Sequence, residues 1–318
     1  MKPLVSVVIP LYNKESTVAN AIDSVLAQTV ADFELIVVND GSKDKGVSIV
    51  QQYHDDRLRL IEQENQGVSV ARNRGIAEAK SELVAFLDAD DMWYPDFLKT
   101  ILSLRRDYPL AGMYGTAYAV FSEDVEKREN AWTPELGSRM LDSYYLDVVK
   151  SGYPIIITSS FAAPKKVLES VGGYVTDFRS GQDHDLFSRI AFLYDVAYSP
   201  EICVRYNAGA ENNMNRVTYL LETPLESYIN TLSSEELAMC RHPDDLSVHL
   251  DFWRLKTGAR NIYSGFRTEG RRQLRMVTHP QFQWKKRLFL FLSYLPISLS
   301  NLSPKLVRTV THKLRLSA

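Results

Sequence analysis

The chain has 318 residues, 45% of them hydrophobic and 24% charged, with 37 Lys and Arg against 39 Asp and Glu. That balance is ordinary for a globular protein with a sizeable core and excludes a fibrous or disordered class, and no repeat of 20–50 residues is visible. Two cysteines, Cys203 and Cys240, lacking CxxC spacing, exclude a disulfide framework, and the length predicts one large domain or a main domain with an appended part.

Residues 1–10 contain a short apolar run that gives way at once to polar residues, which predicts a buried first strand rather than a signal peptide, and a protein kept in the cytosol. Residues 5–10 and 34–39 are β-branched apolar runs without alternation, the pattern of parallel strands covered on both faces. Between them Val18, Ile22, Val25 and Leu26 form the stripe of an amphipathic helix. A third strand is predicted near 58–61, a helix over 67–80 and a fourth strand at 83–87. Alternation of strand and helix through about residue 106 predicts an α/β fold with a mostly parallel sheet flanked by helices. Further on, strands are predicted at 113–121 and 155–161, a polar connection at 123–137, and helices at 165–170 and 184–193. No Pro/Gly/Ser linker interrupts this half, so one domain is expected over 1–212, with halves of about 1–110 and about 111–212. Residues 213–318 read as a helical extension with a break near 241–245.

Ligands of open α/β sheets bind beyond the carboxyl ends of the strands, and three polar clusters fall there: 10–14, 40–42 and 88–91. Asp88-Ala89-Asp90 offers two hard carboxylates at i and i+2, suited to Mg²⁺ or Mn²⁺ bridging a diphosphate; the structural alternative is an acidic turn capping the next helix. Asp40, followed by Gly41, can accept from the N–H of a pyrimidine ring or cap a helix. Arg72, one and a half turns into a helix opened by Gly67, can bind a phosphate or anchor an acidic strand-end loop. Gly181-Gln182-Asp183-His184-Asp185 supplies a carboxylate to take the proton of an attacking hydroxyl. Asp183 is the candidate base and Asp185 the alternative, and either can instead cap a helix. No GxGxxG, P-loop, HExxH or GxSxG motif occurs. Aromatics are nowhere interleaved with Lys and Arg in the body, so nucleic acid is not an expected partner.

In order along the chain, residues 5–13, 35–42, 65–75, 87–91, 171–174 and 181–183 resemble glycosyltransferase family 2, over roughly residues 4–210. The resemblance implies the Rossmann-like GT-A fold, inversion at the anomeric carbon, a nucleotide-sugar donor and Mn²⁺ or Mg²⁺. It implies that Pro10, Tyr12 and Asp40 hold the base, Arg72 lies near the ribose or phosphates, Asp88 contacts the ribose, Asp90 holds the metal, and Asp183 is the base. Two positions depart from the family. Its glutamate before the catalytic aspartate is Gln182, and a histidine common after the last strand is Asn207. The QxxRW motif of processive enzymes is absent, so transfer of single sugars is expected, from a UDP-sugar to a glycan or lipid-linked saccharide of the cell surface. A non-catalytic scaffold of the same fold is the first rival. A nucleotidyltransferase is the second, though the Gly-rich loop it needs after the first strand is missing.

The charge is unevenly spread. Residues 270–318 hold ten Lys and Arg and no acid, leaving 27 basic against 39 acidic residues in the preceding 269, a net of −12. The apolar stretch after Lys285-Lys286-Arg287 is shorter than the ~20 residues that span a bilayer. This tail is expected to lie on an anionic membrane at its cytosolic face, the alternative being helices packed on the body with solvated charges.

Overall fold

In the computed structural model, residues 2–122, 125–178, 181–209 and 224–294 are described; the last part of the expected basic tail, 295–318, lies outside them. The chain divides into two compact units, one of Met1–Asp142, Ile155–Phe178 and Gln182–Asn213, the other of Ser143–Pro154, Arg179–Gly181 and Met214–Ala318.

Strand β1 (Val5–Leu11) is buried along its whole length, as its unbroken apolar sequence predicts. Val5, Val7, Ile9 and Leu11 join a core with Val18, Ile22 and Val25 of α1 (Val18–Leu26). The first unit continues through β2 (Phe33–Asp40), α2 (Gly46–Val50), β3 (Leu58–Gln63), α3 (Val68–Glu78), β4 (Leu83–Phe86), β5 (Met92–Trp93) and α4 (Phe97–Asp107). Then come β6 (Met113–Ser122), β7 (Val125–Asn130) and β8 (Arg139–Met140). After α5 (Tyr144–Ser151), which belongs to the other unit, follow β9 (Phe161–Pro164), α6 (Lys165–Ser170), α7 (Gln182–Leu193) and β10 (Val196–Asn207). The sheet runs β3-β2-β1-β4-β9-β6-β10-β5, with β7 on β6 and β8 on β10. Neighbours from β3 to β4 are parallel, as are β6 and β10, while β9, β5, β7 and β8 run antiparallel to their partners.

Three predicted elements differ. The strand expected at 155–161 begins only at Phe161. Before it, Ile157 N–H donates to Ser160 Oγ (3.0 Å) and Ser160 N–H to the Ile157 carbonyl (2.9 Å), so local bonds take backbone groups that a ladder would use. The polar connection at 123–137 contains β7, which pairs antiparallel with β6. Helix α7 starts at Gln182, two residues early, so Asp183 and Asp185 sit in its first turn.

The second unit is arranged on α10 (Pro243–Tyr263), preceded by α8 (Pro224–Thr231) and α9 (Ser234–Leu237) and followed by α11 (Arg267–Met276) and α12 (Gln283–Leu292). The predicted break at 241–245 is the entry to α10, with Pro243 in its first turn. The half expected over 111–212 loses residues 143–154 to this unit, because α5 packs Tyr145 against His249 of α10 with ring centroids 5.1 Å apart. Helices α10 and α11 cross at Gly258 and Gly270, where a Cβ on Gly270 would meet the Gly258 carbonyl at 2.6 Å. No helix among the described residues is long and apolar enough to cross a membrane.

Close approach also sets α3 on the sheet. A Cβ on Gly75 would lie 2.3 Å from Val8 Cγ1. Gly75→Ala should therefore cost about 1–3 kcal/mol by overpacking, although alanine favours helix. Adding Val8→Ala should recover part of that loss, so thermal melts should show the double variant above the sum of the two single losses. Strict additivity would show that the contact is not what demands glycine.

Candidate active site

Strand register brings the polar clusters to one edge. Leu11 pairs with Asn39, so Tyr12 and Asp40 follow together at the ends of β1 and β2, and Val8 pairs with Phe86, which sets Pro10 level with Asp88. Pro10 is buried within β1, whereas Tyr12 is 43% exposed where the chain turns through Asn13 at φ 51°. Asp40 is buried. Its Oδ1 accepts from the Gln63 amide and the Gln66 N–H, and its Oδ2 from the Gly67 N–H, all at 2.8 Å. It thereby fixes the turn in which Gly67, at φ 94°, opens α3.

Arg72 on α3 is 6% exposed and donates to Asp88 Oδ1 at 2.5 Å, and its guanidinium lies 5.0 Å from the centre of the Tyr174 ring. Asn73 holds the Tyr174 backbone by two bonds of 2.8 Å, its amide donating to the carbonyl and its Oδ1 accepting from the N–H. A Cβ on Gly173 would approach Asn73 Oδ1 to 2.6 Å, and Gly173 has φ 66°, so both position and conformation require glycine there. The pairing of Asn73 with Tyr174, 101 residues apart, leaves no trace in local sequence pattern.

Asp90 Oδ2 receives Lys14 Nζ at 2.6 Å. Burial and then the Asp88 charge push the Asp90 carboxyl above its ordinary value, with Lys14 pulling the other way. Asp91, which the motif leaves without a task, is buried and accepts from Ser159 Oγ (2.5 Å) and the Asn207 N–H (2.8 Å). Burial, then the charges of Asp90 and Asp88, push its carboxyl well above the ordinary value. Ser159 Oγ also accepts from the Asp88 N–H (3.1 Å), and the Ser159 carbonyl accepts from Trp93 Nε1 (2.6 Å), so one serine ties the acidic turn down. Asn207 Oδ1 accepts from the Gly209 N–H at 3.1 Å. A cavity of about 380 Å³ opens beside Asp90, with Asn207 and Arg205 on its wall.

Asp90 and Asp91 are raised by burial and by the carboxylates beside them, and hard oxygens are the donors that Mg²⁺ or Mn²⁺ takes. Among the described residues no group of three or more His, Cys, Asp or Glu could hold an ion alone. An ion here would use Asp90, with Asp88 beside it, and fill its shell from water and phosphate oxygens. On those terms the residues fit the metal.

Asp183 is half-buried and close enough to Arg72 for each to feel the other's charge. Burial pushes its carboxyl up, but the His184 charge, the His184 N–H (2.9 Å) and Arg72 outweigh it, leaving Asp183 below its ordinary value. Asp185 is different. Fully buried, its Oδ2 accepts from Arg189 Nε (2.8 Å) and Nη2 (2.6 Å), while Arg189 also donates to the carbonyls of Val171 and Gly173. Gln182 donates to the Phe178 carbonyl at 2.6 Å, a bond that an ionised glutamate could not make.

The family model for glycosyl transferase family 2 matches residues 6–172. The chain belongs to glycosyltransferase family 2. An uncharacterized glycosyltransferase of Nostoc sp. (strain PCC 7120) is 41% identical over 232 residues, 70% of this chain and 70% of that protein. Another, from Rickettsia felis, is 28% identical over 241 residues, 74% of this chain, but the match spans only 40% of that longer relative. The structure of S. aureus TarS 1–349 in complex with UDP-GlcNAc has a TM-score of 0.63 at 18% identity, covering 98% of this chain and 86% of that one, a likeness of fold.

The two aspartates of the family 2 aspartate segment separate by stability. Asp185→Ala leaves Arg189 buried without its carboxylate and should cost about 3–5 kcal/mol. Asp183→Asn should cost little. Asp183 has a folded pKa below its unfolded value, so its stabilisation is present above about pH 4 and lost as pH falls through the folded value. Denaturant melts at pH 7 check this ranking, and equal losses would contradict it.

Proposed function

We propose that the protein transfers one sugar from a UDP-sugar to a hydroxyl of a glycan or lipid-linked saccharide, inverting the anomeric carbon. The observation that carries this reading is Arg72, which bonds to Asp88 beside Asp90 and sits within the field of Asp183. It relates the acidic turn proposed to meet the diphosphate to the Asp183 carboxylate.

In this reading Tyr12 offers an exposed ring for a base to lie against, and Asp40 Oδ2, which accepts one bond from the Gly67 N–H, would accept a second from the pyrimidine N–H. The binding of UDP-GlcNAc by TarS, of the same fold, supports a uridine donor. Asp90, with Asp88, would hold Mn²⁺ or Mg²⁺, which when bound neutralises charge on the leaving diphosphate. Asp183, ionised at neutral pH, accepts the proton of the acceptor hydroxyl as oxygen attacks the anomeric carbon. Arg72 holds Asp88 in position and keeps Asp183 charged. Asp185 is spent on Arg189, which supports Asp183 as the base.

The test is UDP release from a panel of UDP-sugars with Mn²⁺. Wild type should release UDP from one or a few donors, chelator should abolish it, and Asp183→Asn should lower the rate by about 10²–10⁴-fold while still binding UDP. Asp90→Ala should lose metal-dependent binding of UDP as well as turnover. UDP binding without release from any donor, even with candidate acceptors, would favour the scaffold instead.

A further inference from the structure

The basic run in the second unit does not behave as a uniformly solvated surface. Lys285 is buried, its ammonium 5.9 Å from the Phe282 ring and 5.6 Å from the Trp284 ring, and burial pushes its pKa down. Lys286 donates to the Arg275 carbonyl (3.1 Å) and the Val277 carbonyl (2.6 Å), closing the carboxyl end of α11. Arg287 is exposed.

The exposed positions of α12 and the turn after it are 284, 287, 291 and 294, the i, i+3, i+7, i+10 stripe of one helix face. A solvated face would be polar. This one carries Trp284 at 56%, Phe291 at 63% and Tyr294 at 64% exposure, with Arg287 between the first two. Tyr294 continues it onto α11, since Arg271 stacks on its ring at 4.8 Å and Arg275 donates to its hydroxyl at 3.3 Å. Beside them a cavity of about 660 Å³ is lined by Arg271, Arg272 and Arg275 together with Met276 and Tyr294. Arg271, Arg275 and Arg287 form no ion pair with a carboxylate among the described residues, and residues 270–318 contain no acid.

We propose that this face of α11 and α12 is a docking surface for an anionic lipid bilayer, with the aromatic stripe entering the headgroup region and the arginine-lined cavity taking lipid phosphate. Exposed Trp and Tyr beside cations are the side chains that settle at the interface, their rings in the acyl boundary and their polar ends in water. Charge decides the occupant: Arg271 and Arg275 line the cavity and Arg287 lies on the exposed face of α12, and none of the three pairs with a carboxylate among the described residues. A lipid phosphate meets both the cavity and the flanking apolar side chains, whereas a soluble phosphate would leave Trp284 and Phe291 in water.

The test is sedimentation of the full chain with phosphatidylcholine vesicles, with and without phosphatidylglycerol. Binding should require phosphatidylglycerol and weaken with salt. Arg275→Gln and Arg287→Gln should each lower it about fivefold. Trp284→Ser with Phe291→Ser should lower it further, with the melting curve unchanged because all four side chains are exposed. No binding to phosphatidylglycerol vesicles at low salt would overturn the proposal, as would binding indifferent to both sets of substitutions. Thermal stabilisation by inorganic phosphate without vesicle binding would assign the cavity to a soluble anion. A dimer that the Trp284 and Phe291 substitutions split, again without vesicle binding, would assign the face to a second copy. UDP release in solution is independent of every arm.

Discussion

Arg72 is the constraint on which the first unit depends. A guanidinium so nearly buried must be neutralised where it stands, since an unpaired charge there would cost several kcal/mol. Asp88 supplies the charge and the Tyr174 ring covers the open side. Each partner then has to be held. Asp40 fixes the start of α3 and so the height of Arg72 on the helix. Asn73 fixes Tyr174 from α3, and Arg189 fixes the same loop from α7 through the carbonyls of Val171 and Gly173. The first turn of α7, with Asp183 in it, is thereby tied to a carboxylate at the end of β4 through a continuous polar network. Networks of this kind hold geometry because each member, once satisfied, makes displacement of the next more costly.

The acidic turn resolves its crowding in three ways. Asp88 is matched by Arg72, Asp90 by Lys14, and Asp91 by two neutral donors, Ser159 and the Asn207 N–H. Only the Lys14 pair joins a mobile class of side chain, a flexible four-carbon stem, to a carboxylate on the wall of a cavity. Asp91 is a tie between β10 and the turn. Asp90 is the member whose partner could be exchanged for another cation, which is why the proposed ion would sit at Asp90 and not at the more deeply buried Asp91.

Most of this architecture was legible before the structure. Unbroken apolar runs mark β1, β2 and β4 as doubly covered strands, and the polar residues after them mark the ligand edge. What pattern reading missed depends on partners distant in sequence. The Asn73–Tyr174 bonds, the Ser159 clamp on the acidic turn and the loss of α5 to the second unit are tertiary choices with no local periodicity. The strand expected at 155–161 failed for a local reason, a serine-rich turn satisfying its own backbone. Lys14 stood inside a cluster already marked as ligand-facing, but nothing in the sequence pairs it with a residue 76 positions away.

The departure at Gln182 bears on how the proposed base works. A second carboxylate beside Asp183 would raise its pKa, whereas the neutral Gln182 amide spends its donor on Phe178 and leaves His184 and Arg72 to dominate. The result is an aspartate fully ionised at neutral pH but intrinsically a weak base. Such a group gains little by removing a proton from a free sugar hydroxyl. In the proposed reaction it would become effective once the bond to the anomeric carbon is forming and the hydroxyl has grown acidic, so proton transfer would follow the advance of the nucleophile. The burden of catalysis would then shift toward departure of the diphosphate, the step proposed for Asp90 and Asp88. In the proposed reaction, glutamine in place of glutamate would therefore alter the tuning of Asp183 without removing the carboxylate that accepts the proton.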